Sequence, residues 1–138
     1  MSSSAKSPNE ATGPRAVVAG HGDFAAGLVS AVEQITGRGS QLIPVSVQKL
    51  SVEDIENLLR ARMIEADVHV IFTDLQAGSC TMASRRLLRG MEDAVLIAGT
   101  NLPTLLDFVF AEGLSPSEAA RHAAERGRAA IVVHGAGA

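Results

Sequence analysis

A histidine stands between two glycines, Gly20-His21-Gly22, directly after the apolar run Val17-Val18-Ala19 and directly before an amphipathic stretch that opens at Asp23-Phe24. A carboxylate, Asp74, closes a second apolar run, Val68-His69-Val70-Ile71-Phe72-Thr73, and is followed shortly by Gly78-Ser79. Neutral imidazole titrates near physiological pH and is a competent nucleophile. A carboxylate on one ring nitrogen would set its tautomer and leave the other nitrogen free to attack. With positioned amides or hydroxyls nearby, such a pair suits phosphoryl transfer through the ring, because the loose transition state spreads charge over equatorial oxygens. The flanking glycines remove Cβ atoms that would crowd the imidazole and leave its approach clear. The plainer reading makes His21 a packing group in a turn and Asp74 a helix cap.

The elements that must hold these groups follow from periodicity. Residues 16–19 form a first buried strand, and residues 23–36 form a helix with Phe24, Leu28, Val32 and Ile35 at helical spacing. Gly37 and Gly39 end it. Residues 42–47 form a second strand; Pro44 removes a backbone donor, so this strand belongs at a sheet edge. Ser51 caps a helix to about Glu65, with Asp54 reaching back and Ile55, Leu58, Leu59 and Met63 as the buried stripe. Residues 68–73 read as a central parallel strand, apolar enough to be covered on both faces. A helix after Ser79 places Met82, Leu87 and Leu88 on its buried side and stops near Gly90. Residues 94–98 form a fourth buried strand. A helix follows from about Leu102, capped by Asn101 or Thr100, and another is announced by Ser115-Pro116-Ser117-Glu118. Residues 129–133 read as a final strand.

Alternation of this kind predicts an α/β fold: a doubly wound, mostly parallel sheet with helices on both faces. With the second strand at the edge the order is 2-1-3-4, and residues 129–133 close the chain as a last strand. Ligands of such sheets sit beyond the strands' carboxyl ends where the chain order reverses, here between strands one and three. That rule brings His21 and Asp74 together. The two helix starts beside them, with Gly22, Gly78 and Ser79, make an anion site of backbone N–H groups and positive helix ends. Ser79 and Thr81 are candidate hydroxyls; Ser79 is equally readable as the cap of its own helix.

Composition narrows the function classes. At 138 residues, 46% hydrophobic and 20% charged, the chain suits one globular domain at residues 15–138, preceded by a disordered leader at 1–14. A net charge of −3 without a basic cluster, no Trp or Tyr and only four Phe disfavour nucleic acid as a partner. A single cysteine, Cys80, and the lack of ligand spacing argue against a disulfide or a metal and point to a reducing cytoplasm. Cys80 itself reads as a small buried hydrophobe. No apolar run is long enough for membrane insertion, and no secretory signal is readable. The chain lacks a Gly-rich Lys-Ser/Thr loop, so a nucleotide donor is not expected, and no cofactor is implied. Asn101 reads as a cap. His69 reads as a hydrogen-bonded interior or interface group, and His122 and His134 as surface residues. Arg85, Arg86 and Arg89 form either a solvated helix face or a docking patch for an acidic partner.

Three segments together resemble the IIA subunits of the mannose-class sugar phosphotransferase system: Gly20-His21-Gly22; Asp74 to Ser79 with Ala83 and Arg86; and Val95-Leu96-Ile97-Ala98-Gly99-Thr100-Asn101-Leu102-Pro103. The likeness spans nearly the whole ordered part. It implies a flavodoxin-like three-layer sandwich in which His21 takes phosphate from the phosphocarrier HPr and passes it to a IIB subunit serving a IIC/IID membrane complex, with Asp74 beside it. It also implies a homodimer whose last strand pairs antiparallel and is open to exchange between subunits. Ala77 stands where the family has a glycine, and Met82 where an asparagine is expected. Leu75 with Ser79-Cys80 is similar to the N-acetylgalactosamine branch. The rival readings are a regulatory phosphoacceptor using the same histidine and a non-catalytic anion or small-ligand module on the same fold.

Overall fold

The computed structural model describes residues 13–137, so nearly all of the expected leader, and the last residue, lie outside the described part. The chain forms β1 (Ala16–Gly20), α1 (Phe24–Thr36), β2 (Leu42–Ser46), α2 (Val52–Ala66), β3 (Val70–Thr73), α3 (Ser79–Leu88), β4 (Val95–Ile97), α4 (Leu102–Phe110) and α5 (Pro116–Ala129), with a short 3-10 turn at Gly39–Gln41. All pairings among the four strands are parallel, in the order β2-β1-β3-β4. Pro44 lies opposite Val18 on the edge strand, where its missing N–H costs no central ladder bond.

Strand β1 alternates between two apolar layers. Ala16 and Val18, with Val70 and Phe72 of β3, pack under α1, α4 and α5 through Val32, Leu105, Phe108 and Ala120. Val17 and Ala19, with Ile71, pack under α2 and α3 through Ile55, Leu59, Met63, Cys80 and Leu87. Each fully buried Val, Leu or Ile contributes roughly 1.5–3 kcal/mol, so strands apolar on both faces are fixed at the centre of three layers. The Phe72 and Phe108 rings meet edge to face at 5.1 Å and join the sheet to α4.

Some expectations change. Ile35 and Met82 sit at helical spacing yet are 60% and 56% exposed; the buried face of α3 is Cys80, Thr81, Ala83, Ser84 and Leu87. Ser51 caps α2 as expected, but among the described residues the Asp54 side chain makes no return bond. The capping box of α5 is complete, with Ser115 and Glu118 bonded reciprocally. The expected last strand at 129–133 is not formed within the chain. The Ala- and Arg-rich stretch extends α5 to Ala129, and Ile131, Val132 and Val133 remain 74%, 66% and 75% exposed. Three β-branched or apolar residues cannot make a strand without a neighbour to supply the ladder, and no edge of this chain reaches them.

A polar cluster closes the end of the sheet opposite His21. Arg15 donates to Gln41 Oε1 at 2.8 Å and to the carbonyls of Phe108 at 3.0 Å and Ala111 at 3.2 Å, and its guanidinium lies 4.4 Å from the Phe108 ring centroid. Arg38 pairs with Glu112 and donates to Val109 O at 3.3 Å. These bonds satisfy the last carbonyls of α4, which have no intrahelical donor. Arg15→Ala is therefore expected to destabilise the fold by about 2–3 kcal/mol, read as a lower urea midpoint with an unchanged slope. A midpoint equal to wild type would remove the cluster from the account of stability.

Candidate functional site

Register alone puts two loop starts side by side. Ala19 of β1 is paired with Thr73 of β3, so the next residues, Gly20 and Asp74, leave the sheet together. Asp74 Oδ2 accepts the backbone N–H of His21 at 2.9 Å and pairs with its Nδ1 at 2.7 Å. An ionised carboxylate there requires Nδ1 to be the donor, which leaves the Nε2 lone pair free. The His21 side chain is 52% exposed and that of Asp74 only 10%, so the ring stands at the surface above a sheltered acid. Burial pushes the Asp74 carboxyl up, but the two hydrogen bonds from His21 and the attraction of its ring outweigh that and hold it below the ordinary value of 3.8.

The glycines have separate tasks. A Cβ on Gly20 would lie 2.5 Å from Phe24 Cδ2 and 3.1 Å from Asp74 Cγ, so its bare backbone is what lets the acid and the first helical residue close around the turn. This corrects the expectation that both flanking glycines serve access. Gly22 has open space around it and a φ of +52°, a left-handed turn that L side chains rarely adopt. Its carbonyl accepts from Ser46 Oγ at 3.1 Å, tying the turn to the end of β2. Gly78 lies on the other side, where a Cβ would come within 3.7 Å of His21 Cε1.

Helix caps separate the site from the rest of the molecule. The helices α2, α4 and α5 begin at Ser51, Asn101 and Ser115, each accepting a backbone N–H of its first turn. The two that begin beside His21, α1 at Asp23 and α3 at Gly78, have no side-chain cap. The Phe24 N–H donates to His21 O at 3.0 Å, and the other first-turn amides of these two helices receive no side-chain cap. Ser79 is the first residue of α3 and not its cap, which corrects the capping alternative.

Thr81 is not available as a ligand hydroxyl. It is 4% exposed, and its Oγ1 donates to Leu75 O at 2.5 Å while meeting Thr73 Oγ1 at 2.6 Å, so it braces the Asp74 loop from beneath. No side-chain pattern announced this role; the signal was a threonine at each end of the loop. Cys80 is fully buried, and its thiol is pushed up to about 11 by burial and by the Asp74 charge. Asn101 caps α4 and also donates to Gly127 O at 2.9 Å. His69 is half exposed, with Nε2 3.3 Å from Asp67 Oδ1 and Nδ1 buried without a partner. His122 is exposed and pairs with Asp107 at 2.7 Å, yet it lies within α5 with no helix start or glycine turn beside it. A ring–carboxylate pair alone therefore does not make a site. No cluster of His, Cys, Asp and Glu able to hold a metal occurs among the described residues, and no described helix is long and apolar enough to cross a membrane.

The architecture, with the paired His21–Asp74 turn at its topological switch point, defines a flavodoxin-like domain. Residues 15–125 match the sequence profile of the family described as "PTS system fructose IIA component", and the chain belongs to that family of phosphotransferase-system IIA proteins. Among solved structures it is similar to the mannose/sorbose-specific IIA subunit of Enterococcus faecalis, with a TM-score of 0.76 and 17% identity over 89% of this chain and 96% of that one. A putative sugar phosphotransferase permease from Klebsiella pneumoniae matches with a TM-score of 0.75 and 24% identity over 88% and 91%. A sigma-54 interaction domain protein of Enterococcus faecalis matches with a TM-score of 0.67 and 16% identity over 81% and 88%. At these identities the likeness shows the shared fold. No curated protein matches the sequence.

The depressed Asp74 carboxyl has a pH consequence. A folded-state value below 3.8 means that its contribution to stability is present above 3.8 and is lost as pH falls through the lower folded value. Urea unfolding between pH 2.5 and 7 is expected to show wild type losing stability relative to Asp74→Asn on the acid side only. A gap between the two proteins that stays constant with pH would contradict the linkage.

Proposed function

We propose that this chain is a phosphoryl carrier of a sugar phosphotransferase system, accepting phosphate from phospho-HPr on His21 and donating it to a IIB subunit. The single observation that carries this is Asp74 Oδ2 bonded to both the amide and the ring Nδ1 of a half-exposed His21, which leaves Nε2 unclaimed beside two helix starts without side-chain caps. The Nε2 lone pair forms the new N–P bond while the donor's N–P bond breaks and its electron pair returns to the donor ring. The Nδ1 proton stays between His21 and Asp74, and the carboxylate balances the positive charge of the phosphorylated ring. Amides of Gly22, Gly78 and Ser79 take the equatorial oxygens. A half-exposed ring fits transfer between proteins, since a small substrate is normally enclosed in a pocket. Residues 15–138 act as one domain, working in the cytoplasm and supplying a IIC/IID membrane complex through the IIB partner.

The test is direct. With phosphoenolpyruvate, the first enzyme of the system and HPr, wild type is expected to gain acid-labile phosphate and His21→Ala none, while Asp74→Ala slows transfer about 100-fold with the fold retained. Wild type without phosphate would end this reading. Similarity to a sigma-54 interaction domain protein favours one alternative, a regulatory phosphoacceptor. Onward transfer to the cognate IIB protein separates the two: transfer supports transport, and phosphate stranded on His21 supports regulation.

The tail supports a homodimer. Among the described residues strand β4 pairs only with β3, and the space of about 500 Å³ beside it is lined by Val95, Leu96, Ile97, Ala124 and Arg128. The exposed Ile131-Val132-Val133 of a second copy is read as the strand that fills it. Sedimentation is expected to give a dimer for the full chain and a monomer when residues 131–138 are removed; a full chain that stays monomeric at tens of micromolar would refute this.

A further inference from the structure

The histidine turn is held from both flanks: by Asp74 on the side of β3, and by the end of the edge strand β2 on the other. Strand β2 ends at Ser46, which lies opposite Gly20 in the parallel register. The neighbours Val45 and Val47 are buried in the apolar layer under α2, so the backbone that carries the exposed Ser46 side chain is anchored on either side of it. From there β2 reaches the turn twice. The Val47 N–H donates to Gly20 O at 3.4 Å, and Ser46 Oγ donates to Gly22 O at 3.1 Å.

The second of these bonds falls on the residue least able to keep its own shape. Gly22 has a φ of +52° and open space around it, so packing does not restrain it. In a planar trans peptide the N–H points opposite to the C=O. Phe24 N–H takes the His21 carbonyl at 3.0 Å, which turns the Gly22 N–H away from α1. Ser46 takes the Gly22 carbonyl, which turns the Asp23 N–H away from Ser46. Neither N–H has a hydrogen-bond partner among the described residues. A left-handed Gly22 followed by Asp23 at φ −93° and ψ 14° is the alternation that makes successive amides converge on an anion. A serine at a strand end is ordinarily solvated surface; this one commits its proton to the turn that carries His21. We infer that Ser46 is a positioning residue for the phosphoryl site, its hydroxyl holding the Gly22 carbonyl so that the Gly22 and Asp23 amides face the phosphoryl oxygens. This rests on the carrier reading of His21 and adds to it a residue of the edge strand, outside the His21–Asp74 pair.

Ser46→Ala removes the donor and Ser46→Thr keeps it. Each protein is phosphorylated on His21 with phosphoramidate, a small donor, and separately by phospho-HPr, and the urea midpoint and the Gly22 and Asp23 amide proton shifts are read on the same samples. Wild type is expected to move both amide protons downfield on phosphorylation. Ser46→Ala should lose most of that movement and slow both transfers about five- to tenfold at a urea midpoint close to that of wild type, while Ser46→Thr recovers the shifts and comes within about twofold of the wild-type rate. Both Ser46→Ala transfers within about twofold of wild type would overturn the role of Ser46 alone. A slowed Ser46→Ala whose amide shifts still move as in wild type, or whose rate Ser46→Thr does not recover, would make the serine a structural residue and overturn it too. Wild type taking no phosphate on His21 from either donor would instead overturn the carrier reading beneath it.

Discussion

One carboxylate oxygen organises this molecule. Asp74 Oδ2 receives both the backbone N–H and the ring Nδ1 of the same residue, which closes a small ring through His21 and restrains its backbone and side chain together. A side-chain bond alone would leave the imidazole free to follow the carboxylate; the added amide bond fixes where the carboxylate itself sits. The remaining arrangements follow from that requirement. The β1–β3 register delivers residues 20 and 74 at one level, the bare Cα of Gly20 lets Phe24 and Asp74 close in, and the Thr73–Thr81–Leu75 hydroxyl chain holds the loop that carries the acid. Charge follows geometry: the acid is buried enough to be penalised, but its two bonds from His21 prevail, so it stays ionised across the range where an imidazole works.

Helix capping shows the same division of labour. Three helices satisfy their first amides with Ser51, Asn101 and Ser115, and the two at the switch point do not. An uncapped helix start gives up about 1 kcal/mol relative to a good cap. Among the described α-helices that loss falls only at the two that begin beside His21, at Asp23 and Gly78.

Much of this was legible from residue types because the physics is local or topological. Pro44 marks an edge, apolar runs mark central strands, and the edge assignment alone forces the order that joins His21 to Asp74 across a long separation in sequence. What was not legible depends on packing. Periodicity counts Ile35 and Met82 as core, but α1 and α3 present narrower faces to the sheet than their apolar content suggests. Thr81 looks like a free hydroxyl until Leu75 O and Thr73 are seen to occupy it, and Gly20 looks like an access residue until Phe24 is seen against it. The last strand illustrates another limit: β propensity in Ile131-Val132-Val133 states a preference for pairing, not which chain provides the edge.

Stability and chemistry are also set at opposite ends of the sheet. At the amino ends of the strands, Arg15, Arg38, Gln41 and Glu112 satisfy the last carbonyls of α4 with a dense set of side-chain bonds. At the carboxyl ends, two helices start without side-chain caps beside a half-exposed ring. Parallel strands with helical crossovers make this polarity unavoidable, since every helix starts on one side of the sheet and ends on the other. Amide donors therefore accumulate at one end and carbonyl acceptors at the other. Arginines answer the acceptor end, whereas at the donor end α1 and α3 begin without side-chain acceptors. Asp74 Oδ2 is committed to the amide and ring of His21, so it fixes the imidazole without capping either helix that starts beside it.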